Sequence, residues 1–126
     1  YIEAENTLGY GFGAFWASDA VLGFVERWGY IGNAHSGYYE ALLNGGLVGL
    51  ALVVILSLKI VKDLVQGYIV SENSELLAAL LAIILLQCVV NYIGFIIINH
   101  NSADMLIYTV ISFIGSISLI TKTIAK

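Results

Sequence analysis

Charged residues are scarce in this chain. Of its 126 residues, only 11% are Asp, Glu, Lys or Arg, whereas about 25% is usual for a soluble domain. Hydrophobic residues make up 60%, and the mean hydropathy is +0.91. A chain of 126 residues cannot bury that many apolar side chains in a core of its own. We therefore expect lipid to be the solvent for part of the chain, which excludes an ordinary soluble domain.

Cysteine and clustered basic residues are nearly absent as well. Cys88 is the single cysteine, so it cannot form an internal disulfide, and its apolar surroundings predict a small buried hydrophobe. No Cys/His spacing typical of zinc occurs, and we expect no metal and no cofactor. The lysines lie at the ends of apolar runs and form no basic stripe, so we do not expect nucleic acid as a partner.

Three long apolar runs predict three membrane-spanning helices. About 20 mostly apolar residues cross the hydrocarbon core of a bilayer. Strands of a membrane barrel would instead alternate over about ten residues, and these runs do not. The fold class that we predict is all-α integral membrane, with a transmembrane region at 42–126 and spans at about 42–60, 76–98 and 104–121.

The first 41 residues predict a water-exposed loop segment. Glycine and aromatic residues dominate its front, which suits a membrane–water interface. A short helix is expected from about Ser18 to Trp28, capped by Ser18 or Asp19. The chain begins with Tyr1, and we expect it to be the C-terminal part of a longer protein that does not work without the preceding helices.

The placement of the lysines predicts the orientation. A cytoplasmic loop at 59–75 and a cytoplasmic C-terminal tail leave Arg27 as the one base outside, in accord with the positive-inside bias. The segment 1–41 and the turn at 99–104 then lie on the same outer face.

His35, just before the first span, is the main candidate for chemistry. At the outer boundary an imidazole can accept a proton from a hydroxyl. The alternative is an interfacial or capping histidine without chemistry. Ser36 is the expected N-cap of the following helix.

Two glycine patterns have a packing and a functional interpretation. The glycines at 9, 11 and 13 resemble the start of a dinucleotide fingerprint, but no strand precedes them, so a flexible surface turn is favoured over phosphate binding. Gly45 and Gly49 form a GxxxG pair, which predicts close helix packing.

Polar residues near the spans also leave alternatives open. Gln87 and Asn91 share a helix face and predict hydrogen bonds across helices, or the lining of a cavity. Arg27 either pairs with Glu26 or holds a diphosphate in fork geometry. The turn at 99–104 is a simple polar turn, or it lines the same outer cavity as His35.

Two segments resemble a known family. Residues 34–50 read AHSGYYEALLNGGLVGL and closely resemble the signature of the O-antigen ligase and polymerase superfamily. Residues 8–16 read LGYGFGAFW and look like the glycine-aromatic stretch of its exopolysaccharide-polymerase branch. The resemblance covers mainly residues 8–50.

The resemblance implies a multi-pass enzyme of the bacterial inner membrane that transfers glycan from undecaprenyl diphosphate to a sugar hydroxyl without a metal. Its partners would be the bilayer, the lipid-linked donor, an acceptor glycan and other polysaccharide assembly proteins. His35 falls on the family's leading catalytic candidate and Glu40 on the motif glutamate, so both are predicted to be catalytic. Our candidate substrate-binding residues are Arg27, Tyr38, Tyr39, Asn99 and His100.

The chain departs from the family before its last span. Members often carry a glutamate in that turn, whereas residues 99–104 contain none and Asp104 is the nearest acid. The competing hypothesis is a non-enzymatic membrane component, either a flippase-like transporter or a scaffold of polysaccharide export. Between polymerase and ligase, the glycine-aromatic stretch favours an exopolysaccharide polymerase.

Overall fold

The structure is a computed structural model that describes residues 6–29, 32–70, 74–94 and 103–124, the side chains of residues 70 and 119–124 excepted. Every regular element in these ranges is helical, as predicted. The elements are α1 (Ala14–Ala17), a 3-10 turn (Asp19–Val21), α2 (Leu22–Trp28), α3 (Gly37–Val70), α4 (Ser74–Val90) and α5 (Ala103–Ile124).

Helices α3, α4 and α5 pack on one another around a single apolar cluster. Its buried members are Ile60, Leu64, Leu77, Ile84, Tyr108 and Ile111. Hydrogen bonds cross the same interfaces: the hydroxyls of Ser57 and Tyr108 lie 2.8 Å apart, and Gln87 Nε2 donates to the carbonyl of Asp104 at 3.2 Å. Helix α3 makes more extensive contacts with α4 and with α5 than those two helices make with each other.

The bounds of α3 and α4 differ from those of the predicted spans. Helix α3 continues past Lys59 to Val70, so most of the expected 59–75 loop is helical. The lysine does not end the helix because Lys59 pairs with Asp63 one turn later, while Ile60 and Leu64 remain in the core. Helix α4 ends at Val90 rather than near residue 98, and a turn follows at 91–94.

One long apolar helix stands out among the described residues. Over Gly37–Ile69, α3 is long and apolar enough to cross a membrane, with only 22% of its most apolar 18-residue stretch buried. Within the same part of the chain, Ser74–Val90 and Ala103–Ser118 are apolar but shorter. The passage of all three helices through a bilayer stays a prediction.

Helix α3 is broken at Gly46. This residue has φ 60° and ψ −155°, so the regular backbone hydrogen bonds of the helix are interrupted there. Residues 6–13 fill the break. Tyr10 N donates to Leu43 O at 2.8 Å, and Leu47 N donates to Asn6 O at 2.8 Å. The segment therefore supplies both donors and acceptors to the interrupted helix.

The contact between the segment and the break is backbone against backbone. A Cβ on Gly9, which has φ 67°, would lie 2.6 Å from Gly46 N, and a Cβ on Gly46 would overlap the carbonyl of Thr7. Only glycine fits at either position, since both need a left-handed backbone and a close approach.

The GxxxG interpretation of Gly45 and Gly49 is therefore wrong for the described residues. A Cβ on Gly45 would meet no atom within 4 Å, and one on Gly49 would meet only Ala41 O of the same helix. The close approach occurs instead at Gly46, between them in sequence, and its partner is the front segment rather than another helix.

The expected short helix is present, but its predicted cap is not. The 3-10 turn and α2 together cover Asp19–Trp28. Ser18 Oγ donates backwards to Phe15 O at 2.8 Å, and no side chain caps the 3-10 turn or α2. Phe15, Val21 and Leu43 form a second buried cluster that seats these short elements against the start of α3.

Substitution at Gly46 tests the break. We expect Gly46→Ala to destabilise the protein by about 2 kcal/mol or more, because the left-handed backbone alone costs an L-residue about 1–2 kcal/mol and the new methyl overlaps Thr7. Thermal unfolding of purified protein in detergent measures the change.

Gly45→Ala is the matched control. Its methyl enters open space, and alanine is the better helix former by about 0.5–1 kcal/mol. Equal melting temperatures for the two variants would contradict the description of Gly46.

Candidate functional site

The candidate site lies where the chain enters α3. Three pieces meet there: the turn at 33–36, the front segment with α1, and the end of α4. Gly37 N, at the first position of α3, donates to Asn91 O and to Gly94 O, both at 2.9 Å. A Cβ on Gly37 would overlap the side-chain amide of Asn91. The start of α3 is thus fastened directly to the end of α4.

His35 occupies an unusual backbone position in this turn. Its φ is 49°, the one positive value among the non-glycine residues described, and its N–H donates to Asn33 Oδ1 at 2.9 Å. Asparagine forms such turns because its side chain can replace a backbone acceptor two residues on. The strained turn leaves the imidazole exposed immediately before α3.

Ser36 follows as the residue before the first turn of α3. Its carbonyl accepts the hydrogen bond from Glu40 N at 2.9 Å, so it stands at the predicted N-cap position, but its side chain does not form the predicted cap. Its hydroxyl is buried and has no hydrogen-bond partner among the described residues.

Glu40 is buried under this turn with only 3% of its surface exposed. Its Oε2 accepts a hydrogen bond from Ala34 N at 2.9 Å, and its Oε1 accepts one from Trp16 Nε1 at 3.0 Å. Asn44 Nδ2 lies 3.5 Å from Oε1. Because these donors occupy the carboxylate, the geometry favours a holding role for Glu40, and its catalytic role stays a prediction.

Trp16 is the residue that the sequence analysis missed. It lies in α1 and reaches Glu40 across 24 positions of sequence. Its ring makes edge contacts with Phe15 and Phe24, at centroid distances of 5.0 and 5.9 Å. The sequence held no specific signal for this contact: an indole N–H is a donor, but nothing local pairs it with a glutamate 24 positions away.

The glycines of the front segment do not form a phosphate cradle. Gly11 N donates to Asn44 O at 3.0 Å, and Gly13 N donates to Asn44 Oδ1 at 2.9 Å. With Tyr10 N bonded to Leu43, these amides are engaged by α3. The segment is a structural clamp on the helix break.

The two predicted tyrosines point in different directions. Tyr38 Oη donates to Cys88 O at 2.8 Å and thereby ties α3 to α4. It also lines an apolar cleft of about 290 Å³ with Ser57, Leu85 and Cys88 among its walls. Tyr39 is 51% exposed. Of the pair, Tyr39 is therefore the one that is open to a substrate.

The other predicted substrate-binding residues are Arg27, Asn99 and His100. Arg27 is exposed on α2. Asn99 and His100 lie outside the described residues.

Gln87 is buried and its side chain bonds to Asp104 of α5, so the predicted hydrogen bond across helices is confirmed for it. Asn91 follows the end of α4, and its side chain is buried against Gly37 of α3.

No metal centre is visible in the part of the chain that the structure describes. No three His, Cys, Asp or Glu side chains come together there. The metal-free mechanism stays a prediction. Comparisons of the chain with protein-family models, curated proteins and solved structures gave no match.

Substitution of Glu40 tests its holding role. Glu40→Ala leaves Trp16 Nε1 and Ala34 N without their acceptor, and a buried unsatisfied polar group costs about 1–3 kcal/mol. We expect a clear loss of thermal stability, together with faster proteolysis of the 6–36 segment.

Glu26→Ala, at an exposed carboxylate on α2, is the control and should leave both measurements unchanged. A Glu40→Ala protein as stable as this control would contradict the holding role.

Proposed function

We propose that this protein is a membrane glycosyltransferase of surface polysaccharide synthesis, which transfers glycan from undecaprenyl diphosphate to a sugar hydroxyl at the outer face of the bacterial inner membrane. One observation carries the proposal. The two segments that resemble the O-antigen ligase and polymerase superfamily, 8–16 and 34–50, are hydrogen-bonded to each other and leave His35 exposed where they meet.

The character of α3 supports a membrane setting. Its apolar surface is mostly exposed, and the stretch that precedes Lys59, from Leu42 to Leu58, is about 26 Å long at 1.5 Å per residue. A bilayer core is about 30 Å thick. A core helix of a soluble protein would be covered by its own fold. The break at Gly46 then lies toward one surface, with the site beyond it.

The orientation follows from charge. With Lys59 and Lys62 toward the cytoplasm, the start of α3 and the His35 turn face outward, where lipid-linked glycans are joined. Lys59 also links α3 to α5, because its ammonium lies 3.5 Å from Ser116 Oγ. This contact would lie near the cytoplasmic ends of the two proposed spans.

The proposed reaction is a displacement at the sugar carbon that bears the diphosphate. The acceptor oxygen forms the new glycosidic bond, the bond from carbon to diphosphate oxygen breaks, and the diphosphate leaves with the electron pair. His35 takes the proton of the acceptor hydroxyl and returns it to solvent. Negative charge on the leaving diphosphate needs cationic or hydrogen-bonding groups, and Arg27 is our candidate for that contact.

The other residues divide between holding and binding. Glu40 holds the turn that carries His35, as its buried contacts indicate. Tyr39 is our candidate for contact with a sugar ring, since its side chain is exposed, and Asn99 and His100 remain candidates for the acceptor. Polymerase and ligase share this chemistry and differ in the acceptor.

Replacement of His35 tests the proposal. Loss of a general base costs about 10²–10⁴-fold in rate, so His35→Ala and His35→Gln should abolish surface polymer while the protein still inserts at the wild-type level. The measurement is the glycan profile of a deletion strain complemented with each variant.

The matched control is Asn33→Ser, whose hydroxyl can still accept the bond from His35 N; it should retain polymer. Normal glycan length and amount in both His35 variants would refute the catalytic role. Polymer that forms but stays inside the cell would favour the transporter or scaffold.

Labelling of single cysteines tests the orientation. In a Cys88→Ala background, Glu26→Cys should react with a membrane-impermeant maleimide in intact spheroplasts, because α2 is expected outside. Glu75→Cys, exposed at the start of α4, should react only after permeabilisation. The opposite pattern would invert the topology and remove His35 from the outer face.

A further inference from the structure

Trp16 and His35 are connected through a single carboxylate. Trp16 Nε1 donates to both oxygens of Glu40, at 3.0 and 3.3 Å. The same carboxylate accepts a hydrogen bond from Ala34 N at 2.9 Å. Ala34 precedes His35 directly, so Glu40 fixes the peptide from which the strained His35 turn departs.

The His35 turn has few other restraints. Its imidazole is exposed, and the residue has a φ of 49°, a backbone state that non-glycine residues adopt only when their surroundings impose it. Within the described residues, the hydrogen bonds that restrain this turn are those to Asn33, from Ala34 to Glu40, and at the start of α3. Ala34 also packs against the second apolar cluster. The bonds to Asn33 and Glu40 are both local in sequence, but Glu40 in addition links the turn to Trp16 of α1.

Glu40 in turn depends on Trp16 for its orientation. The edge contacts with Phe15 and Phe24 fix the orientation of the indole ring and of its N–H. Phe15 is itself buried, with 2% of its surface exposed. Without the indole N–H, one carboxylate oxygen keeps only the long contact to Asn44. The carboxylate could then rotate and release Ala34.

We propose that Trp16 is a positioning residue for His35, which acts through Glu40 to hold the imidazole where it meets the acceptor hydroxyl. This inference rests on the proposed function, since a positioned base has a purpose only if His35 takes a proton. It assigns to the glycine-aromatic segment a second task besides closing the helix break.

The test compares Trp16→Phe with Trp28→Phe. Phenylalanine keeps an aromatic ring but removes the indole donor. Trp28 is the chain's other tryptophan and is 69% exposed at the end of α2, so its replacement is a matched control. In membranes supplied with lipid-linked donor, we expect Trp16→Phe to lower kcat by about 10- to 100-fold, as misplacement of a reacting group does. KM for the donor should stay close to that of wild type, and Trp28→Phe should behave as wild type.

Glu40→Gln changes the carboxylate that connects Trp16 with Ala34. Its amide cannot accept from both Trp16 and Ala34 through two oxygens, so one of the two donors loses its partner. We expect a loss of kcat similar to that of Trp16→Phe. The double variant should be no worse than either single one, because both changes release the same peptide.

Nuclear magnetic resonance of histidine gives a readout that does not depend on activity. In ¹³C-histidine-labelled protein, the signal missing from His35→Gln belongs to His35. It should shift or broaden in Trp16→Phe and in Glu40→Gln, and it should be unchanged in Trp28→Phe.

The outcomes separate this proposal from the proposed function. Loss of activity in His35→Gln with wild-type kcat in Trp16→Phe overturns the positioning role alone, as does equal impairment of Trp28→Phe. Full activity in His35→Gln overturns the proposed function. An unchanged His35 signal in Trp16→Phe overturns the contact that the positioning role requires.

Discussion

The satisfaction of backbone hydrogen bonds at Gly46 is the constraint on which the structure depends. A helix broken in its interior leaves amide and carbonyl groups without partners, and in a bilayer such groups cannot turn to water. Here the front segment provides the partners, with amides of Tyr10 and Gly11 on one side of the break and carbonyls of Asn6 and Thr7 on the other. The long apolar helix and the polar front end are therefore one unit.

The same closure builds the candidate site. Because residues 6–13 lie against the break, α1 follows close to the first turns of α3, and Trp16 comes within reach of Glu40. The buried carboxylate then holds Ala34, and His35 is left exposed at the edge. At the other side, the contact between Gly37 and Asn91 keeps the entrance of α3 against the end of α4. The site is thus framed by three separate parts of the chain.

The sequence predicts the helical class and most of the elements, because long apolar runs without alternation leave little else. Helix α5 at Ala103–Ile124 lies close to the predicted 104–121. The prediction failed where a local signal was outweighed by a distant partner. Lys59 indicates the end of an apolar run, yet Asp63 and Ser116 accommodate it inside the helical stretch. The break at Gly46 and the bond from Trp16 to Glu40 depend on contacts over 24 or more positions, which no local pattern of one sequence reveals.

The pairing of the front segment with α3 also imposes an order on biosynthesis. Residues 6–13 leave the ribosome before the helix that they complete, so they cannot reach their partners until α3 exists. Until then α3 carries open amides and carbonyls at Gly46. The closing loop is about 30 residues long, and lengthening such a loop adds little to its entropic cost. The break can therefore close only after α3 has formed, and the length of the loop is no obstacle to its closure.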